Sequence, residues 1–113
     1  MKEKIVALLE RHHGSLGTEA AAIAAHIATI DALTSTQRED LVRQVHTLKG
    51  SSGSLGFATV FTAAETLEHC LRQTSDAPVD QITREKINTL DATLTEVISA
   101  VRVEDSSLLA KFA

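Results

Sequence analysis

The stretch HTLKGSSGSLGF, residues 46–57, carries three glycines in a segment whose flanking pattern is helical. Apolar and small residues recur into and through it at steps of four, three, four and three: Leu41, Val45, Leu48, Ser52 and Leu55. This spacing is typical of one face of an α-helix. Because the stripe keeps its phase through Gly50 and Gly53, the sequence predicts a helix that continues past both glycines. The alternative, a helix that ends at Gly50 and is followed by a loop, stays open at this point.

His46 lies beside this stripe, which predicts an exposed imidazole. At about 100° per residue, four more residues fall on the same side of the helix: Val42, Lys49, Gly50 and Gly53. An interior glycine destabilises a helix by about 0.8–1.0 kcal/mol relative to alanine. Two glycines beside a titratable side chain therefore indicate that something approaches this face closely.

The residues from His46 to Gly56 resemble the signature of the histidine-containing phosphotransfer (HPt) domain family, in which His-x-Leu-Lys-Gly is followed by small residues and a further glycine. The resemblance continues into the sequence AAETLE, residues 63–68, which is similar to the next helix of that family. It implies a phosphorelay intermediate. His46 would accept a phosphoryl group from the aspartyl phosphate of a receiver domain, or pass one to it.

The residue types fit this chemistry. A neutral imidazole nitrogen is a competent nucleophile near pH 7, and the resemblance implies that Nε2 of His46 carries the phosphoryl group. Lys49, one turn on, can offset the charge of phosphoryl oxygens. Val42, Gly50 and Gly53 are expected to form the face on which the receiver docks. No intrinsic cofactor or metal is expected, because the partner receiver would supply Mg²⁺ and the aspartate.

The expected partners are response-regulator receiver domains, a hybrid histidine kinase, or both. A chain of 113 residues leaves no room for an ATP-binding domain, so the protein is not expected to be a kinase or another enzyme in its own right. The alternative is a non-phosphorylated helical adaptor that uses the glycine-lined groove only to bind a signalling partner. The sequence does not indicate which partners are cognate or in which direction net phosphoryl flux runs.

Composition excludes several other classes of function. The formal net charge is −4, and the chain has three Phe residues but no Tyr or Trp. It therefore lacks the basic stripe and the stacking platform of a nucleic-acid binder. No apolar run is long enough to cross a bilayer. Cys70 is the single cysteine, which favours a reducing, cytoplasmic setting. A monomer is the default expectation.

The periodicity predicts helices almost throughout, so the expected fold class is all-α: an antiparallel four-helix bundle with an additional N-terminal helix. One domain is expected over residues 1–113, with the bundle core at about 18–102. The predicted elements are a first helix that ends at Gly14, a second from Thr18 to about Leu33, a third from a Thr36–Glu39 capping box, a fourth at about 57–73 and a fifth at about 80–101.

The remaining residues have simpler interpretations. Cys70 is expected in the core, and Ser51 and Ser52 are expected to serve packing or solvent contact rather than chemistry. The other four histidines, His12, His13, His26 and His69, are expected on the solvated surface. Residues 104–113 either fray or dock on the bundle, and the sequence does not decide between the two. The initiating Met and the full set of helices favour a free-standing protein over an excised domain.

Overall fold

The computed structural model describes residues 1–74 and 78–112. Its helices are α1 (Lys2–Ala28), α2 (Ser35–Ser54), α3 (Ala58–Arg72), α4 (Gln81–Ala100) and the one-turn α5 (Ser107–Ala110), with short 3-10 turns at Ile30–Ala32 and Val103–Asp105. Residues 1–74 and 78–112 contain no β-strand. The all-α prediction is therefore confirmed.

The four long helices pack as a ring, in which α1 and α3 each contact both α2 and α4. Neighbouring helices run in opposite directions. His12, in the first half of α1, lies 3.0 Å from Ser52 near the end of α2, whereas His26 near the end of α1 contacts Gln44 in the middle of α2. This arrangement agrees with the expected antiparallel bundle.

The additional N-terminal helix was a wrong prediction, because α1 continues through Gly14 and Gly17 without a break. Both glycines are exposed, and an added Cβ would meet nothing within 4 Å at either position. Their helix penalty of about 1 kcal/mol each is outweighed by burial of a continuous stripe, at about 1.5–3 kcal/mol for a large aliphatic side chain. That stripe is Leu9, Leu16, Ala20, Ile23 and Ile27. The resulting helix of 27 residues explains the elongated shape of 48 × 22 × 19 Å.

The N-terminus of α2 has the predicted kind of cap, two residues earlier than expected. The Thr34 side chain accepts a hydrogen bond from the Gln37 backbone N–H at 3.1 Å, and the Gln37 side chain accepts one from the Thr34 backbone N–H at 2.8 Å. The predicted box starting at Thr36 is wrong. Both Thr34 and Thr36 are followed three residues later by Gln or Glu, and the earlier one prevails because it lengthens the helix and has the extended backbone of a cap.

At its other end, α2 passes Gly50 and Gly53 and closes at Gly56, which rules out the helix that ends at Gly50. Gly56 has a φ of +82°. Its N–H donates to the Gly53 carbonyl at 3.1 Å, and the Phe57 N–H donates to the Ser52 carbonyl at 2.8 Å. This pair of bonds is a Schellman motif, whose left-handed residue is nearly always glycine.

The C-terminal residues dock on this motif, which answers the question that the sequence left open. Ser107 N–H donates to the Gly56 carbonyl at 3.0 Å, and the buried Ser106 hydroxyl donates to the Leu55 carbonyl. A Cβ at Gly56 would lie 2.6 Å from the Leu108 backbone nitrogen. The absence of a side chain at Gly56 therefore allows two backbone segments to meet.

The helices α3 and α4 lie within one or two residues of their predicted bounds. The inner face of α3 includes four buried residues, Val60, Ala64, Leu67 and Leu71. Cys70 is buried as expected. Asp80 caps α4 by accepting a hydrogen bond from the Thr83 N–H at 2.7 Å. Part of the predicted link at 74–79 lies outside the described residues.

Two of the four histidines expected on the surface are in fact half-buried. His12 bonds to Ser52 and stacks on Phe57, with 5.7 Å between ring centroids. Burial lowers the pKa of His12, and the Glu19 carboxylate opposes that effect only in part. His13 bonds through Nε2 to the Val101 carbonyl at 2.8 Å. Both lie where α1 crosses the ends of α2 and α4, whereas His26 and His69 are exposed as expected.

Candidate functional site

His46 stands in the middle of α2 with 55% of its side chain exposed, as its position beside the apolar stripe predicts. The ring is nevertheless held in place. Its Nδ1 lies 3.0 Å from Oε2 of Glu68 on α3. An exposed imidazole is thus anchored by one nitrogen to the neighbouring helix.

Glu68 is a buried carboxylate, with 6% of its side chain exposed, surrounded by positive groups. The Lys49 ammonium lies 2.8 Å from Oε1, and the Arg72 guanidinium contacts Oε2 through Nε at 2.8 Å and Nη2 at 2.6 Å. Burial alone would raise the pKa of Glu68, but hydrogen bonding by Lys49, Arg72 and His46 lowers it to about 2. Glu68 is therefore ionised at neutral pH.

This charge fixes the proton on His46. An ionised carboxylate has no hydrogen to give and can only accept, so Nδ1 of His46 must be the donor in this bond. In the neutral ring the lone pair then lies on Nε2, the nitrogen farther from the backbone. The geometry thereby selects the tautomer whose distal nitrogen can attack an electrophile.

Lys49 lies one turn after His46, on the same side of α2, as predicted. Its ammonium, however, is in contact with Glu68, and 21% of its side chain remains exposed. Lys49 thus supports the carboxylate that holds the imidazole. The direct role expected for it beside phosphoryl oxygens stays a prediction.

The two glycines on this face differ in their surroundings. Gly50 is exposed, and an added Cβ would meet nothing within 4 Å, so the backbone there is open to a partner. A Cβ at Gly53 would lie 2.8 Å from Cδ2 of Phe61 on α3. Gly53 therefore makes room for a neighbouring side chain in the same molecule, a reason that the sequence analysis did not anticipate.

Next to His46, a cavity of about 360 Å³ opens between α2 and α3. It is lined by Glu39, Val42, Arg43, His46 and Arg72. Val42, expected as part of an exposed docking face, is only 8% exposed because it belongs to the hydrophobic core. Its remaining surface contributes an apolar wall to a cavity that is otherwise polar.

The match to a family decides how this constellation is to be understood. A family model described as Hpt domain matches residues 13–103, a span that contains α2, α3, α4 and every residue of the site. The chain belongs to the Hpt domain family. Hpt domains carry a phosphoryl group on histidine in phosphorelays, interact with receiver domains and histidine kinases, and lack kinase activity of their own. No curated protein and no solved structure matches the chain.

Sequence analysis of this Hpt domain missed Glu68 and Arg72 as site residues. A signal for Glu68 was present. It lies four residues after Ala64 and three before Leu71, so a carboxylate occupies the buried stripe of α3. A buried charge needs partners, and Arg72 follows Glu68 at the i,i+4 spacing of an ion pair on a helix. That Lys49 and His46 complete the set depends on how α2 and α3 pack.

A metal cluster and a membrane-spanning helix are both absent from residues 1–74 and 78–112 of this Hpt domain. Those residues contain no cluster of three His, Cys, Asp or Glu side chains placed to hold a metal ion. None of the helices formed by these residues combines the length and apolarity that a membrane span requires.

Proposed function

We propose that this Hpt domain accepts a phosphoryl group on Nε2 of His46 from the aspartyl phosphate of a receiver domain and donates it to another receiver aspartate. The observation that carries the proposal is the hydrogen bond from His46 Nδ1 to the buried, ionised Glu68. This bond leaves the distal nitrogen with a lone pair and holds the ring at a fixed angle on an exposed helix face.

In the forward step, the lone pair of Nε2 forms a bond to phosphorus. The bond between phosphorus and the aspartate oxygen breaks, and the aspartate departs as a carboxylate with the bonding electrons. The proton on Nδ1 stays where it is, so no general base is needed. The ring of His46 gains a positive charge as the new bond forms.

Glu68 stabilises that developing charge. Its carboxylate already accepts the Nδ1 hydrogen bond before the reaction, so little reorganisation is needed in the transition state. Lys49 and Arg72 keep Glu68 ionised, and together these two cations outnumber the one carboxylate. The surplus positive charge offsets the negative charge of the incoming phosphoryl group. Lys49 thus contributes to charge neutralisation through its contact with Glu68 rather than through a direct contact with phosphoryl oxygens.

Gly50 provides the access that the reaction needs. With no side chain on the exposed turn after His46, the active-site loops of a receiver can bring their phosphoryl group in line with Nε2. The receiver would supply Mg²⁺, which neutralises phosphoryl oxygens, and we propose no intrinsic cofactor. The exposed edges of Val42 and Gly53 would lie at the rim of this contact.

A non-phosphorylated adaptor is the competing function. Such an adaptor would have no use for a carboxylate buried beneath an exposed imidazole, since each buried charge carries a desolvation cost. Three donors from two helices converge on Glu68, and phosphoryl chemistry gives the exposed imidazole among them a purpose that an adaptor does not.

The proposal is tested by phosphoryl uptake. The chain is mixed with receiver domains charged on aspartate in the presence of Mg²⁺, and intact mass is measured before and after acid treatment. We expect one acid-labile, base-stable phosphoryl group on the wild-type protein and on His69→Gln, which alters an exposed histidine of α3 as a matched control. His46→Gln should show the wild-type circular dichroism spectrum and take up none.

Two outcomes would overturn the proposal. Uptake by His46→Gln at the wild-type rate would assign the phosphoryl group to another residue. Failure of the wild-type protein to take up phosphoryl from any receiver in a broad panel would favour the adaptor. The identity of the partners, the cytoplasmic setting and the monomeric state stay predictions.

A further inference from the structure

Arg43 lies one turn before His46 on α2, on the side away from Lys49. It lines the same cavity as His46, with 70% of its side chain exposed. Its Nη1 lies 2.8 Å from Oδ1 of Asp40, which is itself 58% exposed. An exposed ion pair therefore holds the Arg43 guanidinium beside the cavity.

The cavity is where a phosphoryl group on His46 would find its neighbours. Glu68 holds Nδ1 from the α3 side, so Nε2 is the nitrogen left to carry the group. Two cations, Arg43 and Arg72, line the cavity beside the His46 ring. The ammonium of Lys49 forms an ion pair with Glu68, and two guanidinium nitrogens of Arg72 contact the same carboxylate.

Arg43 can change partners at little cost. An exposed ion pair contributes about 0–1 kcal/mol, so its contact with Asp40 is a weak restraint. A phosphoryl group carries close to two negative charges, and the planar guanidinium can bind two of its oxygens at once. The contact with Asp40 uses a single guanidinium nitrogen, Nη1. Residues three apart on a helix have Cβ atoms about 5–6 Å from each other, which brings Arg43 within reach of a group on His46.

We propose that Arg43 is a phosphoryl-binding residue of this Hpt domain: on phosphorylation of His46 its guanidinium leaves Asp40 and binds the phosphoryl oxygens. The inference rests on the proposed function and deepens it. Asp40 acts as a competitor that holds Arg43 in the unphosphorylated protein. Arg43 and Asp40 together therefore set how strongly the domain retains its phosphoryl group against a receiver aspartate.

The equilibrium of transfer isolates this effect from docking. The equilibrium constant for phosphoryl exchange between the free Hpt domain and a free receiver is independent of how tightly the two proteins bind each other. A residue that only helps docking changes the rate in both directions and leaves that constant unchanged. A residue that binds the phosphoryl group changes the constant.

The experiment measures this constant by intact mass, at low salt and with one receiver, for the wild-type protein and four variants. Arg43→Gln should shift the equilibrium toward the phosphorylated receiver by about threefold to fivefold, the size of an exposed charged contact. Arg43→Lys should recover part of the loss, because it keeps the charge and loses the fork. Asp40→Asn should shift the equilibrium in the opposite direction.

The fourth variant, Arg102→Gln, is the matched control, since Arg102 is an equally exposed arginine paired with Glu104 at 3.2 Å. It should leave the constant at the wild-type value. As an independent readout, the ³¹P titration midpoint of the phosphoryl group on His46 should rise in Arg43→Gln, because a neighbouring cation favours the more ionised form.

The results separate two failures. If the wild-type protein takes up phosphoryl on His46 but Arg43→Gln has the wild-type constant and titration midpoint, the role of Arg43 is refuted and the proposed function stands. An equal shift in Arg102→Gln would also refute it, by assigning the effect to net charge. If His46 takes up no phosphoryl group in the wild-type protein, the proposed function itself fails.

Discussion

Residues 46–50 and residues 52–57 belong to one motif, and the residues that characterise each part differ in exposure. In the first, His46 is 55% exposed and Gly50 faces open space. In the second, Ser52 and Phe57 are at most 1% exposed and Gly56 contacts the backbone of the C-terminal segment. Glycines of one motif can thus have unrelated surroundings: Gly50 leaves the helix surface open, and Gly56 allows two backbone segments to meet.

The largest effect on stability is expected from Gly56→Ala. A Cβ there would meet the Leu108 nitrogen at 2.6 Å, at a φ of +82°. Left-handed backbone strain of about 1–3 kcal/mol adds to the displacement of residues 106–108. We expect urea unfolding to show a loss of about 2–4 kcal/mol.

The control for this variant is Gly14→Ala, at a glycine with open space around it in the middle of α1. It should stabilise the protein slightly. The folded fraction of Gly56→Ala should still take up phosphoryl at the wild-type rate, because the site lies in the other segment. Unchanged stability in Gly56→Ala would show that the C-terminal segment does not depend on this contact.

Glu68→Gln is expected to have the next largest effect, and it acts on the first segment. A hydrogen bond to a charged group contributes about 1.5–3 kcal/mol. Because the partly exposed Arg72 can turn to solvent, we expect the whole substitution to lower the free energy of unfolding by about 1.5–3 kcal/mol. The pKa of Glu68 is lowered to about 2 on folding, so its contribution is complete above the unfolded value of about 4.3 and disappears as the pH falls to 2.

Urea unfolding at a series of pH values between 5 and 2 measures this contribution. Wild-type stability should fall across the window, and the fall should be smaller in Glu68→Gln. Phosphoryl uptake should also slow in the variant, because an amide does not stabilise a positive ring as a carboxylate does. Wild-type uptake in Glu68→Gln would contradict the proposed stabilisation of the charged ring by Glu68.

His12→Gln tests the second segment, because His12 contacts Ser52 and Phe57, and its effect falls in a different pH window. The pKa of His12 is lowered on folding, so the unfolded chain binds a proton more readily than the folded chain below about pH 6.5. Stability should therefore decline as the pH falls below that value. In His12→Gln the decline between pH 7 and pH 5 should be smaller, while the decline between pH 5 and pH 2 that is due to Glu68 persists. Identical pH profiles for the variant and the wild type would refute this role of His12.

Gly50 gives the smallest expected effect on stability and a large one on transfer. Gly50→Ala should stabilise the protein by up to about 1 kcal/mol, since an added Cβ meets nothing within 4 Å. Gly50→Leu should fold as well and transfer phosphoryl to and from a receiver much more slowly, because its side chain occupies the approach path. Stopped-flow transfer at a normal rate in Gly50→Leu would show that the receiver docks elsewhere.

Periodicity was sufficient to predict the helical fold, the exposed His46 and the continuation of α2 through Gly50, because each depends on contacts within a few turns of one helix. It failed at Gly14, where a local stop signal competed with burial along the whole of α1. It also failed for His12, which is half-buried only because α1 crosses the end of α2 at that point.

The candidate site was predictable to the same extent. His46 could be identified from its own helix, whereas the network around Glu68 joins α2 to α3 across 22 residues of sequence. The stripe of α3 indicated that Glu68 would be buried, but it contained no information about which cations would face it. The sequence did not indicate which residues of α2 would face Glu68, and only the packing of α2 against α3 shows this.

The buried Cys70 gives the protein a built-in kinetic reporter. It is the only thiol in the chain, it is 4% exposed, and it lies on α3 between Glu68 and Arg72. A small thiol reagent modifies it when the structure opens around α3, so where reclosing is faster than labelling, the labelling rate under native conditions measures the free energy of that opening. The wild-type chain can therefore report, without any substitution, whether a charge on His46 tightens or loosens the helix that anchors it.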